Sequence, residues 1–239
     1  VPTVLLLRHG LTEVTGSVLS GRTPGLDLDD RGRAQAAELA SRLASVPLAA
    51  LVTSPLERCV QTAQALASDG LQPQLDERFI EVGYGEWTGR PLKELARQPL
   101  WKVVQQHPSA AVFPGGEALA ATQARALAAV RDWNERLGEQ AIYAVCSHGD
   151  VIKAILADAL GLHLDQFQRI VVHPCSVSVV QYTPTRPFVV RMNDVGGSVA
   201  DLLPAKRGRR RRSADAVVGG GAGAAVAGGA ANCADTLTA

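Results

Sequence analysis

The sequence predicts an α/β fold: a three-layer sandwich in which a mostly parallel mixed sheet carries helices on both faces. Three observations predict it. Short unbroken apolar runs at 3–8 (TVLLLR), 49–53 (AALVT) and 141–146 (AIYAVC) read as strands buried on both sides, as in a parallel sheet covered by helices. Segments of helical periodicity alternate with those runs. Towards the end, Val177–Tyr182 and Phe188–Met192 flank a Pro-containing turn and read as an antiparallel pair, which makes the sheet mixed.

The elements follow in order. After the first strand, Gly10 to Asp29 holds Gly16, Gly21, Pro24 and Gly25 and reads as a long loop; loops of that length in a compact domain are usually functional. Asp29 or Asp30 can cap the next helix, whose expected apolar face is Ala34, Ala37, Leu39, Ala40 and Leu43. Pro47 breaks the chain before the second strand. Ser54-Pro55 then reads as an N-cap with proline at the first helical position, which starts the helix of Arg58. Leu75–Gly85 is a short strand or extended loop, Leu92–Ala96 a helical turn and Pro114-Gly115-Gly116 a turn. Glu117–Leu137 is a long Ala-rich helix with Leu119, Ala126, Leu127 and Val130 at helical spacing, and Asp150–Leu160 is the helix after the third strand.

Composition narrows the class. The chain has 239 residues, 46% hydrophobic and 20% charged, which suits one large globular domain or two small ones and excludes a chain disordered throughout. No apolar run reaches the ~18 residues of a membrane helix, and Arg8 follows the first run too closely for a signal peptide. The cysteines (Cys59, Cys146, Cys175, Cys233) lie far apart without metal-ligand spacing, so a cytoplasmic location is expected. From Pro204 on there are six basic and two acidic residues, so the net charge of +1 is a body at −3 joined to a tail at +4. A mildly acidic body does not suggest a broad nucleic-acid footprint. The expected organisation is one domain over 1–203 and a disordered tail over 204–239, basic and then Gly/Ala-rich, which has too few large apolar side chains to offset its ordering entropy.

Chemistry gathers at three strand ends. The first strand ends in Arg8-His9-Gly10, the second in Ser54-Pro55 with Arg58 one turn on, and the third in Ser147-His148-Gly149. Ligands of open α/β sheets bind beyond the carboxyl ends of the strands, so two histidines and two arginines are expected at one place. Helix N-termini and guanidinium forks directed there favour an anion with phosphate geometry.

This pattern resembles the histidine phosphatase superfamily, also called the phosphoglycerate mutase-like family. The resemblance rests on Arg8-His9-Gly10-Leu11-Thr12, on Ser54-Pro55-Leu56-Glu57-Arg58 with Thr62, on Glu81 in FIEVGYGEWTG, and on Ser147-His148-Gly149, in that order over roughly residues 3–195. Ser20-Gly21 and Leu28 followed by Arg31-Gly32 add to it. It implies a phosphomonoester hydrolase in which His9 takes up the phosphoryl group, Arg8, Arg58 and His148 hold its oxygens, and Glu81 exchanges protons with the leaving group and then with water. It places Thr12, Thr15, Ser20, Gly21 and Gly149 around the phosphate, and it implies a metal-independent histidine (acid) phosphatase without cofactor. The expected partner is a small phosphorylated substrate, with no specific nucleic acid and no membrane; a homodimer is the commonest soluble assembly.

Two departures from the family pattern concern the loop. Leu11 stands where the family often has Glu, and Val14-Thr15 where an aromatic is often followed by Asn, so Thr15 supplies one hydroxyl instead. The mutase branch carries a longer basic insertion after the acid glutamate, whereas GYGEWTGRPLKEL continues briefly, as in the phosphatase branch. The alternatives are a cofactor-dependent phosphoglycerate mutase-type transferase, and a catalytically silent protein docking on nucleic acid through its basic tail. Within the motif, Glu86 competes with Glu81 for the proton-donor role. His107, His163 and His173 read as structural or exposed, Cys59 and Cys146 as small buried hydrophobes, and Trp87 as core or pocket wall.

Overall fold

A computed structural model describes residues 1–197 and Gly219. Its sheet has six strands: β1 (Thr3–Arg8), β2 (Ala50–Thr53), β3 (Pro73–Leu75), β4 (Ile142–Ser147), β5 (Val177–Tyr182) and β6 (Pro187–Asp194). Their order across the sheet is β3-β2-β4-β1-β5-β6. The first four in that order run parallel, and β5 and β6 complete the sheet antiparallel. This is the mixed, mostly parallel sheet expected from the sequence.

The parallel strands are covered on both faces, and β1 shows why its apolar run is unbroken. Val4 and Leu6 join one core with Phe79, Trp133, Ile152 and Ile155, while Leu5 and Leu7 join the other with Leu39, Cys59 and Ala63. Side chains alternate across a strand, so a run that feeds two cores has no polar positions. Burying each such side chain is worth roughly 1.5–3 kcal/mol. The larger core is covered by α5 (Leu119–Leu137) and α6 (Gly149–Ala159), the smaller by α1 (Asp30–Leu43) and α2 (Glu57–Gln64).

Local sequence explains most element ends. Asp29 caps α1, its carboxylate accepting from the Gly32 N–H at 2.7 Å. The buried face of α1 is Gly32, Ala36 and Leu39; Ala34 and Ala37, expected inside, are exposed, because the stripe runs one position off the one chosen. The helix of Arg58 starts at Glu57 and not at Pro55. Ser54 is therefore not at the N-cap position: Leu56 stands there without a side-chain cap bond, and the serine hydroxyl, which accepts only weakly from the Leu56 N–H at 3.4 Å, has its shorter contact with His148 at 2.8 Å. Two short helices, α3 (Leu92–Leu95) and α4 (Pro99–Gln106), close one end, and α4 is not foreseen by the sequence pattern. Its eight residues bury only Val104, too short a stripe to show periodicity.

The expected domain over 1–203 is described as far as residue 197, and the tail over 204–239 lies outside the described residues except for Gly219. Among the described residues, no helix is long and apolar enough to cross a membrane.

Candidate active site

The sheet order makes β2, β4 and β1 neighbours, so their carboxyl ends come together. Arg8 pairs with Ser147 in the ladder, and one residue further the His9 N–H donates to the Ser147 carbonyl at 3.0 Å. Ser54 continues β2 likewise, its N–H donating to the Cys146 carbonyl at 2.9 Å. Beyond His9 the chain crosses the first turn of α1 so closely that a Cβ on Gly32 would lie 2.0 Å from the Leu11 carbonyl oxygen. Only glycine fits there, and this crossing turns the loop of 11–29 back over the strand ends.

A small cleft lies at this place. Of the residues expected at the site, Arg8, His9, Thr15, Ser20, Gly21, Arg58 and Glu81 line it. Three sit behind its wall. Thr12 is buried and shares a 2.9 Å hydroxyl contact with Thr15, Gly149 opens α6, and His148 packs behind His9 with ring centroids 5.3 Å apart.

Hydrogen-bond partners fix both imidazoles. Nδ1 of His9 is 2.7 Å from the Gly10 carbonyl oxygen, which only accepts, so Nδ1 carries the proton. Nε2 of His9 then holds the lone pair and accepts from Nε of Arg58 at 3.4 Å. In His148 the assignment is reversed. Nη2 of Arg58 donates to its Nδ1 at 3.2 Å, so Nε2–H donates to the Ser54 hydroxyl at 2.8 Å. Burial, reinforced by the Arg58 and Arg8 guanidiniums, holds both histidines well below the usual imidazole range. Both are neutral at physiological pH.

Arg58 is the hub. It is 1% exposed, and its Nη2 also donates to the Gly21 carbonyl at 2.7 Å. Its Nη1 is buried without a hydrogen-bond partner among the described residues. A buried guanidinium N–H with nothing to bind is costly, and this one belongs to a residue lining the cleft. Arg8 donates to the Val172 carbonyl at 2.6 Å and to the Gly219 carbonyl at 3.3 Å.

Glu81 is 4% exposed, with one carboxylate oxygen accepting from the Val82 N–H at 2.9 Å and the other 4.0 Å from Nδ1 of His148. Burial and then the charge of Asp150 raise this carboxyl to about 7, against the pull of Arg58 and Arg8. Arg22 and Arg125 hold its backbone carbonyl at 2.8 and 3.2 Å. Glu86, the competing carboxylate, is exposed and lines no part of the cleft. Trp87 packs against Trp101 and Phe113 in the core and is not pocket wall.

Sequence reasoning missed Tyr84, Leu19, Leu92 and Gly219, which also line the cleft, and the Asp150–Lys153 pair beside it. The pair had a readable signal, since two charges three residues apart interrupt the otherwise apolar GDVIKAILA. Gly219 had none.

Comparison with known proteins shows the family. Residues 4–195 match the family model described as histidine phosphatase superfamily (branch 1). The chain is 29% identical to phosphoserine phosphatase 1 of Hydrogenobacter thermophilus over 80% of this chain and 91% of that protein. It is 32% identical to glucosyl-3-phosphoglycerate phosphatase of Mycolicibacterium vanbaalenii over 69% of this chain and 76% of that one. Among solved structures, YhfR of Bacillus stearothermophilus superposes with a TM-score of 0.75 at 28% identity, covering 82% of this chain and 98% of that chain. The chain belongs to the histidine phosphatase superfamily.

Proposed function

We propose that the protein hydrolyses phosphomonoesters of small metabolites through a phosphohistidine on His9. The observation that carries this reading is the His9 tautomer: Nδ1–H is committed to the Gly10 carbonyl, leaving a neutral Nε2 lone pair in a residue that lines a cationic cleft. Neutral imidazole attacks phosphorus near neutral pH and departs again when water attacks. Arg8 and Arg58, with the unpartnered Nη1 of the latter, suit the equatorial oxygens of a phosphoryl group in transfer. His148, set behind His9, fixes Arg58 through its Nδ1.

In the first step Nε2 of His9 bonds to phosphorus as the ester P–O bond breaks, and protonated Glu81 gives its proton to the leaving alkoxide. In the second, the Glu81 carboxylate takes a proton from water, whose oxygen bonds to phosphorus as the P–N bond breaks. Phosphate leaves and both groups return to their starting states. Glu81 suits this exchange because a carboxyl held up to about 7 is divided between its two forms at neutral pH. The relatives named above as phosphoserine phosphatase and glucosyl-3-phosphoglycerate phosphatase support small phosphorylated metabolites as the substrate class.

The test is a panel of phosphorylated metabolites assayed for phosphate release, followed by alkaline quench and mass spectrometry of the His9 peptide with any ester that is turned over. A phosphoryl adduct on His9 is expected. Turnover without that adduct overturns the mechanism. Adding a bisphosphoglycerate primer with 3-phosphoglycerate and finding 2-phosphoglycerate in place of phosphate would assign the mutase reaction instead.

A further inference from the structure

Behind the cleft lies a buried polar cluster that the proposed reaction does not use. Asp150 stands in the first turn of α6, directly after His148 and Gly149, and is fully buried. One of its oxygens accepts from the Tyr84 hydroxyl at 2.7 Å and from the Gly219 N–H at 2.9 Å; the other is 3.3 Å from the Lys153 ammonium. A buried carboxylate is costly unless paired. The plain reading is that Asp150 serves only Lys153. Two observations argue otherwise. Lys153 has further partners of its own, the side-chain amide oxygen of Gln168 at 2.5 Å and the Phe167 ring at 4.4 Å. The Asp150 oxygen that Lys153 does not hold faces Tyr84 and Gly219, both of which line the cleft.

Tyr84 connects this cluster to the chemistry. It lies three residues after Glu81 on the same loop, so its bond to Asp150 ties the Glu81 segment to the helix that His148 opens. We propose that Asp150 is a positioning residue acting through Glu81: it anchors the Glu81 loop by way of Tyr84 and presents a fixed negative charge to the Glu81 carboxyl. This deepens the phosphatase reading and rests on it for the catalytic consequence. The direction of the charge effect agrees, since Asp150 is the leading charge that raises the Glu81 carboxyl. The opposing charges are Arg8 at the end of β1, Arg58 of α2 and Lys153 of α6. Tyr84 faces both carboxyls, and the neutral His148 stands 4.0 Å from Glu81. Arg22 and Arg125 reach Glu81 through its backbone carbonyl and direct their remaining donors to the Glu117 carboxylate and the Arg78 carbonyl. A carboxyl crowded by a like charge and taken out of water is suited to carry a proton, and that is the place of Glu81 beside Asp150.

The test reads Glu81 directly. Its side-chain carboxyl resonance, assigned by its absence in Glu81→Gln, is titrated by carbon-13 NMR in the full-length wild type and in Asp150→Asn, with pH profiles of alkyl phosphate hydrolysis measured alongside. In Asp150→Asn the Glu81 midpoint is expected to fall by about one pH unit, the low end for removing a close like charge, and the alkaline limb of hydrolysis to move with it. Tyr84→Phe keeps the charge and cuts the tether, so it lowers kcat with the limb in place. An unmoved midpoint in Asp150→Asn overturns the proposal, because a merely structural role lowers the melting temperature without shifting Glu81. If the single variant fails to fold around an unpaired Lys153, Asp150→Asn with Lys153→Met carries the same measurement, with a smaller shift in the same direction expected. A midpoint that moves while the hydrolysis limb stays fixed supports the Asp150–Glu81 coupling and removes Glu81 from the acid role.

Discussion

Replacing Glu81 by Gln removes an ionisable group from a buried place without changing its size, and both stability and rate respond. In the folded protein this carboxyl keeps its proton up to about 7, against an ordinary value of 4.5. Between those values the unfolded chain has released the proton and the native chain has not, so native stability falls as pH rises through the window. The loss is complete above the folded value. At roughly 1.4 kcal/mol per pH unit, it amounts to about 3 kcal/mol. Glu81→Gln does not ionise and escapes this loss. Urea unfolding of both proteins at pH 5 and pH 8.5 is therefore expected to show the variant gaining most of that ~3 kcal/mol on the wild type between the two conditions. Kinetics give the second reading: removal of a general acid costs on the order of 10²–10⁴ in rate with an alkyl phosphate, and far less with 4-nitrophenyl phosphate, whose leaving group departs without a proton. A stability difference independent of pH, or equal losses with both esters, would refute the reasoning.

Three further substitutions probe the site from other sides. His9→Ala is expected to abolish phosphate release from 4-nitrophenyl phosphate and retain the wild-type circular dichroism spectrum; residual turnover above that of a mock preparation would contradict the nucleophile assignment. Ser54→Ala removes the nearer acceptor for Nε2–H of His148 and leaves it only the weak acceptor Cys59 Sγ at 3.4 Å; loss of one such hydrogen bond costs about 1 kcal/mol, read as a lower urea midpoint together with a lower kcat. Gly32→Ala drives a Cβ to 2.0 Å from the Leu11 carbonyl, an overpacking against backbone that costs typically ~1–3 kcal/mol. It is expected to displace the 11–29 loop and raise KM for every ester tested, and an unchanged melting temperature would count against the crossing.

The sequence made the strand ends legible and obscured what depends on side-chain direction. Unbroken apolar runs followed at once by Arg8-His9, Ser54 and Ser147-His148 place those residues at the sheet's carboxyl edge, because a parallel strand buried on both faces has one readable pattern. Ser54 shows the limit. A serine before proline and a helix has the signature of an N-cap, yet its hydroxyl is drawn off by a stronger tertiary partner, Nε2 of His148 at 2.8 Å. In α1, small alanines on several faces gave the periodicity little to discriminate, and Ala34 and Ala37 point outward. Choosing Glu81 over Glu86 required loop geometry, since their spacing of five residues in an irregular segment carries no facing rule. Gly219 reaches the cleft from far along the chain, and local pattern holds no information about such a contact.

The alternation of β1 between two cores has a bearing on which parts of the molecule are free to vary. Val4 and Leu6 serve one side of the sheet, Leu5 and Leu7 the other, and His9 follows one residue after the strand ends. Inserting or deleting a single residue here would exchange the occupants of both sides and rotate His9, the proposed nucleophile, half a turn away from its carbonyl anchor. Loops elsewhere tolerate changes of length, but the count from Thr3 to His9 sets where that imidazole meets the cleft. Redesign of specificity has to work around that heptapeptide and leave its frame intact.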